Sequence, residues 1–261
     1  MKKILVAFLT ILIMIPSFVS ACAIASFERE GTTVEPIGLS QALIVWNDGV
    51  EHLILDPKLK GAAKDFGLAF AFPARPEVNE SSRVIFRELA AYTKPKVVYR
   101  ARADTGSFFG AGRSAPPASA APPIIVVEEK EVGDFSVAVL QATDANALIA
   151  WLQENNYRFT DGDRANFDYY VQKKGYTFVA LKMRPQGDTV GERPLYAGDA
   201  FNFTPIEFVF QTPTALFPSR LARDNDPLQQ FRVYTLSKQP LIVYGAATPF
   251  VKKITAADTS A

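Results

Sequence analysis

Residues 132–183 constrain the fold most strongly, because their apolar side chains switch between the period of a strand and that of a helix. Residues 135–139 alternate large and small side chains, which predicts a half-buried strand. Asp144 can cap a helix that places Leu148 and Leu152 on one face. The asparagine pair at 155–156 and Gly175 both tolerate a positive φ, so they predict two helix ends. The predicted order is therefore strand, helix, helix, strand.

The remaining elements follow from similarly local signals. Two β-rich runs at 41–46 and 50–55 flank Asn-Asp-Gly, which predicts a tight hairpin because Asp-Gly supplies positive φ. A third strand is expected at 66–72, ended by prolines, and Ser81 or Ser82 is expected to cap a helix through Tyr92. Further strands are predicted at the following ranges: 96–101, 124–132, 206–210, 231–236 and 241–244.

Domain boundaries come from changes in composition. Residues 105–123 are rich in Ala, Pro, Gly and Ser, which predicts a linker between two sub-domains, although both halves could still share one sheet. The predicted organisation, in order, is a signal peptide (1–21), an N-terminal arm (22–38), a β-β-β-α sub-domain (39–104), the linker (105–123), an α+β sub-domain (124–250) and a polar tail (251–261). The expected fold class is α+β, with mostly antiparallel sheet and about three flanking helices.

The N-terminus has the layout of a secretory signal peptide. Lys2 and Lys3 precede an apolar run at 4–18, which is shorter than the roughly 20 residues of a membrane-spanning helix. Small residues then lead to Cys22, so lipoprotein processing would leave Cys22 first in the mature chain and lipidated. Ordinary cleavage before Cys22, or a cut within 23–25 that discards it, are the alternatives. We expect export to the periplasm or cell envelope, with membrane anchoring if Cys22 carries lipid.

Charge and composition exclude several classes of function. The formal net charge is +1 and no Lys/Arg run occurs, so there is no electrostatic footprint for nucleic acid. One Cys and one His rule out an intramolecular disulfide and a Cys/His zinc site. No glycine-rich phosphate cradle lies between a strand and a helix, and no cofactor is expected.

Four segments together resemble a known family. They read ALIVWNDGVEHLIL, DFGLAFAFPARPEV, GDFSVAVLQATDANALIAWLQENNYRF and YTFVALKM. The chain is similar to domain of unknown function 2330, a family of exported bacterial proteins, from about residue 40 to about residue 244. The resemblance implies an exported or envelope location. It supplies no catalytic or ligand-binding residues that could be transferred to this sequence.

His52 is the only conventional general base near neutral pH. Asp48 and Glu51 are close in sequence, and Ser40 could approach from the partner strand, which permits a Ser–His–Asp arrangement. No Gly-x-Ser-x-Gly element presents a nucleophile, so a cross-strand polar partner is the favoured role of His52. Trp46, beside the hairpin turn, joins Asp48 and His52 in a candidate binding surface, although covering the sheet edge is its favoured role.

Three carboxylates near the second helix suggest calcium. Asp161, Asp163 and Asp168 are hard oxygen ligands, but the segment lacks the central Gly and the closing Glu of a calcium loop. Asp163 is better explained as a helix cap, and no metal site is expected.

These observations favour a non-enzymatic envelope protein, a lipoprotein through Cys22, that binds an envelope protein partner or has a structural role. The first alternative is an envelope hydrolase that uses His52 as its base. The second is a periplasmic module that binds a small ligand or a metal, which would show as ligand-dependent thermal stabilisation.

Overall fold

The computed structural model describes residues 23–26, 34–36, 38–61, 66–93, 124–157, 161–173, 175–184, 189–190, 193–194, 196–197, 200–222, 230–238 and 241. The predicted signal peptide, Cys22, the segment 105–123, the strand at 96–101 and the tail 251–261 lie outside these residues. So does most of the strand predicted at 241–244.

Strands dominate the described residues. In chain order they are β1 (Ala23–Ser26), β2 (Val34–Pro36), β3 (Leu39–Asn47), β4 (Val50–Asp56), β5 (Leu59–Gly61), β6 (Phe66–Phe72), β7 (Glu77–Glu80), β8 (Ile124–Val132), β9 (Phe135–Ala142), β10 (Thr177–Met183), β11 (Thr189–Val190), β12 (Arg193–Pro194), β13 (Tyr196–Ala197), β14 (Ala200–Phe201), β15 (Ile206–Gln211) and β16 (Gln230–Ser237). The helices are α1 (Val84–Tyr92), α2 (Ala145–Glu154) and α3 (Asp161–Val171), with a 3₁₀ turn at Arg220–Ala222.

Two five-stranded sheets form the body of the fold. The first sheet has the order β1-β6-β10-β9-β8 and is antiparallel throughout. The second sheet has the order β16-β3-β4-β15-β7, and only β16 pairs in parallel, with β3. Smaller sheets join β13-β14-β5-β2 and β11-β12. The predicted α+β class with mostly antiparallel sheet and three helices is confirmed.

Both large sheets draw strands from either side of residues 105–123. β6 pairs with β10 in the first sheet, and β15 and β16 flank the β3–β4 hairpin in the second. The two sequence halves therefore share both sheets. The composition of residues 105–123 predicted two sub-domains and also allowed the halves to share a sheet.

The main core lies between the two sheets. Phe70 and Phe72 of β6 project from one face of the first sheet, because side chains on a strand alternate with a period of two. Their ring centroids lie 5.2 Å and 4.8 Å from that of Phe208 on β15 of the second sheet. All three rings are at least 98 % buried. Aromatic contacts at this spacing add to the free energy gained from burial alone.

Local signals explain the hairpin and the second helix. Asp48 and Gly49 have φ values of 50° and 83°, as the tight turn between β3 and β4 requires. The Asp144 side chain accepts a hydrogen bond from the Ala147 N–H at 2.9 Å, which caps α2 as predicted. Asn156 follows α2 with a φ of 64°, the predicted left-handed stop.

Three local predictions need correction. Helix α3 begins at Asp161, so Asp163 lies inside its first turn instead of capping it. Ser82 accepts a hydrogen bond from Val84 N–H at 3.2 Å, but the residue at the cap position of α1 is Arg83. Strand β9 is buried on both faces from residue 137 to residue 140, because it is an interior strand and α2 contacts it.

Candidate functional site

Strand β4 places His52 on the opposite face of the second sheet from its neighbour Glu51. The His52 ring donates through Nδ1 to Glu207 Oε1 at 2.9 Å, from the adjacent strand β15. The His52 side chain is 45 % exposed and that of Glu207 is 23 % exposed, so the pair lies on an open sheet surface. This geometry agrees with a cross-strand polar partner for His52.

The structure does not bring Ser40 or Asp48 to His52. Ser40 is fully buried, and its hydroxyl accepts the Lys58 N–H at 2.8 Å. His52 is opposite Val45, five residues along β3 from Ser40, which separates them by roughly 16 Å along the strand. The Asp48 carboxylate lies in the exposed turn, 3.2 Å from Lys238 Nζ. The Ser–His–Asp arrangement is therefore not formed.

Trp46 and His52 lie on opposite faces of the sheet. Trp46 is opposite Glu51 in the hairpin register, it packs against the main core, and its indole N–H donates to the Thr212 carbonyl at 3.1 Å. Trp46, Asp48 and His52 therefore do not form one continuous surface.

Glu51 is a charged residue type placed in the core. Its side chain faces the same way as those of Leu53 and Leu55, and its exposure is 0 %. Oε2 accepts the backbone N–H of Leu216 at 2.8 Å, while Oε1 has no partner among the described residues. Burial raises the pKa of Glu51 from 4.5 to about 8, because removal from water disfavours the charged form. The carboxyl is therefore mostly protonated at neutral pH.

Leu216 also belongs to the wall of a cavity, which we call the tyrosine pocket. The C-terminal part of α3 and the turn after it supply Tyr169, Tyr170, Lys173 and Tyr176. Residues 216–219 and Arg220, the first residue of the 3₁₀ turn, form the opposite part of the lining. Ala71 of β6 completes the lining. The cavity volume is about 220 Å³.

The three tyrosines form a contiguous aromatic wall. The ring centroids of Tyr169 and Tyr170 are 5.1 Å apart with planes at 79°, and those of Tyr170 and Tyr176 are 5.2 Å apart with planes at 32°. Burial, followed by the neighbouring tyrosines, raises the pKa of Tyr170 to about 12. Burial also raises the pKa of Tyr176. These phenols therefore stay neutral at physiological pH and keep their O–H groups.

Two cations meet at the ring of Tyr169. The Arg220 guanidinium carbon lies 3.8 Å from its centroid, and Lys173 Nζ lies 4.5 Å from it, both within cation–π distance. A hydrogen bond to the Tyr169 oxygen is the main cause that raises the pKa of Lys173, so this side chain is charged. Among the described residues neither cation has a carboxylate within ion-pair distance, and Arg220 Nε is buried without a hydrogen-bond partner. The described part of the pocket therefore carries two positive charges and no negative one.

A second concavity lies over the first sheet beside α2. Its volume is about 370 Å³, and the Trp151 and Tyr157 rings stack in its wall with centroids 6.4 Å apart. Residues of both charge signs line it: Glu129, Lys130, Glu131 and Lys182. Because opposite charges alternate there, it shows no net preference for a charged ligand.

The described residues contain neither a cluster of metal ligands nor a membrane-spanning helix. No three His, Cys, Asp or Glu residues among them come together in a way that could hold a metal ion. The side chains of Asp161 and Asp163 lie outside what is described. No helix in the described part of the chain has both the length and the apolarity to cross a bilayer.

The sequence motifs discussed above do not single out the tyrosine pocket. A local signal was available, because Tyr169 and Lys173 are four residues apart on α3 and the turn that follows, a spacing at which side chains become neighbours. Arg220 reaches the same ring from a distant segment, and no short motif marks it.

Comparison with known proteins places the chain in one family. No curated protein and no solved structure matches it. Residues 19–247 match the family model described as an uncharacterized protein conserved in bacteria (DUF2330). That match covers most of the chain and agrees with the resemblance of its sequence segments, so the protein belongs to the DUF2330 family.

Proposed function

We propose that the protein is exported to the cell envelope and acts there by binding a small ligand in the tyrosine pocket, without transforming it chemically. One observation carries the binding proposal. Lys173 and Arg220 place two positive charges on the wall of a 220 Å³ cavity, with no described carboxylate to neutralise them. Adjacent like charges cost free energy in the empty protein, and a bound ligand that offsets this cost explains their arrangement.

Export and anchoring rest on the N-terminal sequence. The charged residues Lys2 and Lys3, the apolar run at 4–18 and the small residues before Cys22 support secretion followed by lipidation of Cys22. Mass spectrometry of the mature N-terminus tests this directly. A diacylated Cys22 with the protein in the membrane fraction supports the anchor, and Cys22→Ser should release the protein. A mature chain beginning after Cys22 would contradict it.

Ligand binding is tested by thermal denaturation against a panel of small metabolites. A ligand that binds only the folded state at about 100 times its Kd adds about 2.7 kcal/mol of stability, enough to raise the Tm visibly. The double variant Lys173→Met/Arg220→Met should lose the stabilisation. The matched control Lys238→Met/Arg75→Met removes two exposed cations elsewhere and should keep it. A panel without any stabilising compound would contradict the proposal, as would equal responses of the two double variants.

A second candidate function is hydrolysis with His52 as the base, and the His52–Glu207 hydrogen bond favours it. A carboxylate 2.9 Å from Nδ1 can fix the imidazole tautomer and leave Nε2 free to accept a proton. The variant His52→Ala separates hydrolysis from ligand binding when it is tested in a strain in which deletion of the whole gene causes a phenotype. An unchanged phenotype would exclude catalysis through His52, and a null phenotype would exclude the binding-only proposal.

The proposal includes an envelope protein partner. A binding module anchored at the membrane can bind such a partner in a way that depends on whether its ligand is bound. Cross-linking in intact cells followed by purification tests for one. A neighbour recovered with the wild type but lost with Lys173→Met/Arg220→Met would tie the partner to the tyrosine pocket.

A further inference from the structure

We propose that the ligand of the tyrosine pocket is a small organic anion, with a carboxylate or phosphate head group on a flat apolar body. This inference rests on the proposed function, because it names the class of ligand for the same site. Four features of the pocket carry it: the sign of its charge, the orientation of its donors, its apolar wall and its size.

The charge of the pocket selects an anion. Among the described residues that line it, Lys173 and Arg220 are the only charged ones, and both are cations. Three tyrosines alone would also suit a quaternary ammonium ligand, since such cations bind in aromatic cages. Here the protein's own cations already lie at the Tyr169 ring, at 3.8 Å and 4.5 Å from its centroid, and would repel a cationic ligand.

Arg220 lies over the Tyr169 ring and carries donors that suit an oxyanion. A guanidinium that stacks on an aromatic ring uses its face and keeps its N–H groups in the plane for hydrogen bonds. Its Nε is buried and has no hydrogen-bond partner among the described residues. Carboxylate and phosphate oxygens match that fork of donors.

The remaining lining favours an apolar body behind the head group. Ala71, Leu216, Phe217 and Pro218 contribute aliphatic and aromatic surface beside the tyrosine rings. Flat groups stack on phenol rings with a gain beyond simple burial. A bare inorganic ion would leave this surface uncovered, so it satisfies only part of the site.

The size of the pocket limits the ligand to about one ring. A volume of 220 Å³ is below the roughly 300–1,000 Å³ of pockets that take drug-sized molecules. A monocyclic acid therefore suits this site better than a large ligand does.

Binding of five probe compounds by thermal denaturation and isothermal titration calorimetry tests the inference. Benzoate and phenyl phosphate carry the proposed head groups, benzamide and phenyltrimethylammonium keep the ring without an anion, and inorganic phosphate lacks the ring. We expect benzoate, phenyl phosphate or both to bind at least about tenfold more tightly than benzamide, because hydrogen bonds to charged groups are the stronger ones. Whichever of the two binds more tightly identifies the head group.

Two single variants and a control keep the test independent of folding. Lys173 is exposed, so Lys173→Met should fold normally and weaken anion binding at least about threefold. Arg220→Lys keeps the charge but loses the planar fork, and should weaken it about tenfold or more. Lys238→Met, a distant exposed lysine, should bind like the wild type. If Arg220→Lys is unfolded, the Lys173→Met result decides alone.

Several outcomes would overturn the inference. They are binding of benzamide as tight as that of benzoate and phenyl phosphate, tightest binding of phenyltrimethylammonium, and binding of inorganic phosphate equal to that of phenyl phosphate. Absence of binding by both aromatic acids at about 10 mM also overturns it. If neutral or cationic panel compounds then stabilise the wild type but not Lys173→Met/Arg220→Met, only the ligand class is wrong. If none do, the proposed function fails as well.

Discussion

Replacing Glu51 with glutamine removes an ionisable group from the core while it preserves the size of the side chain. Glu51 is fully buried, and one carboxyl oxygen accepts the Leu216 N–H at 2.8 Å. The glutamine carbonyl can accept the same hydrogen bond. The substitution therefore separates the effect of the charge from that of the hydrogen bond.

The magnitude follows from the pKa of Glu51 in the folded and unfolded states. The unfolded chain loses the proton near pH 4.5, whereas burial raises the pKa in the folded protein to about 8. Between these values the unfolded state binds fewer protons than the folded state, so stability falls as pH rises. The slope is about 1.4 kcal/mol per pH unit, and the whole fall is roughly 5 kcal/mol. A typical domain has about 5–15 kcal/mol in total, so the effect is large.

Urea denaturation at several values from about pH 5 to about pH 9 measures the free energy of unfolding. The fluorescence of Trp46 and Trp151 reports the unfolding. The Glu51 contribution should lower the stability of the wild type across this range, and Glu51→Gln should lack that contribution. Near pH 5 the two proteins should differ by only about 1 kcal/mol, because both side chains are then neutral. Near pH 8 we expect the glutamine variant to be several kcal/mol more stable.

A control variant isolates the buried carboxyl from the general effect of pH. Glu129 is exposed on β8, and Glu129→Gln should follow the wild-type curve at every pH. Parallel curves for the wild type and Glu51→Gln between pH 5 and pH 8 would refute the reasoning, because they would show that Glu51 ionises equally in both states.

Three further substitutions test the packing of the fold by the same urea curves. Gly67→Ala would place its methyl against the ring of Tyr157 and 2.7 Å from the Leu181 carbonyl oxygen, so we expect a loss of about 1–3 kcal/mol, and an unchanged midpoint would contradict this contact. Asp144→Ala removes the acceptor of the Ala147 N–H and should cost about 1 kcal/mol, whereas Asp144→Asn should cost less because it keeps a capping oxygen. Phe208→Ala deletes a ring packed between the two sheets and should cost about 3–5 kcal/mol; a loss below about 1 kcal/mol would show that the sheets do not pack there.

The elements predicted from sequence are those set by short-range chemistry. The hairpin turn at Asp48 and Gly49 needs positive φ at consecutive positions, and the Asp144 cap needs only the three residues after it. Each signal is complete within a few residues. A single sequence therefore suffices to predict the α+β class and the strands of the central stretch.

Strand partners could not be predicted in the same way. The alternation in β6 shows that it is a strand, but β9, β10 and β4 all have apolar faces that would cover it equally well. The choice of β10 is made by the whole fold, as is the parallel pairing of β16 with β3. Boundaries drawn from composition do not contain this information, so the sharing of both sheets by the two halves emerged only from the structure.

The candidate site depends both on local sequence and on tertiary contacts. The sequence predicts which strand face Glu51 occupies, because a period of two places it with Leu53 and Leu55, but its burial comes from the tertiary structure. Its partner Leu216, and Arg220 four residues further on, arrive through tertiary contacts. A carboxyl inside the core and two adjacent cations both conflict with local stability, and such conflicts persist chiefly where function requires them. Segment 212–220 contacts the buried carboxyl of Glu51 and contributes one of the two cations. We therefore expect substitutions in this segment to show most clearly which residues affect ligand binding and which affect stability.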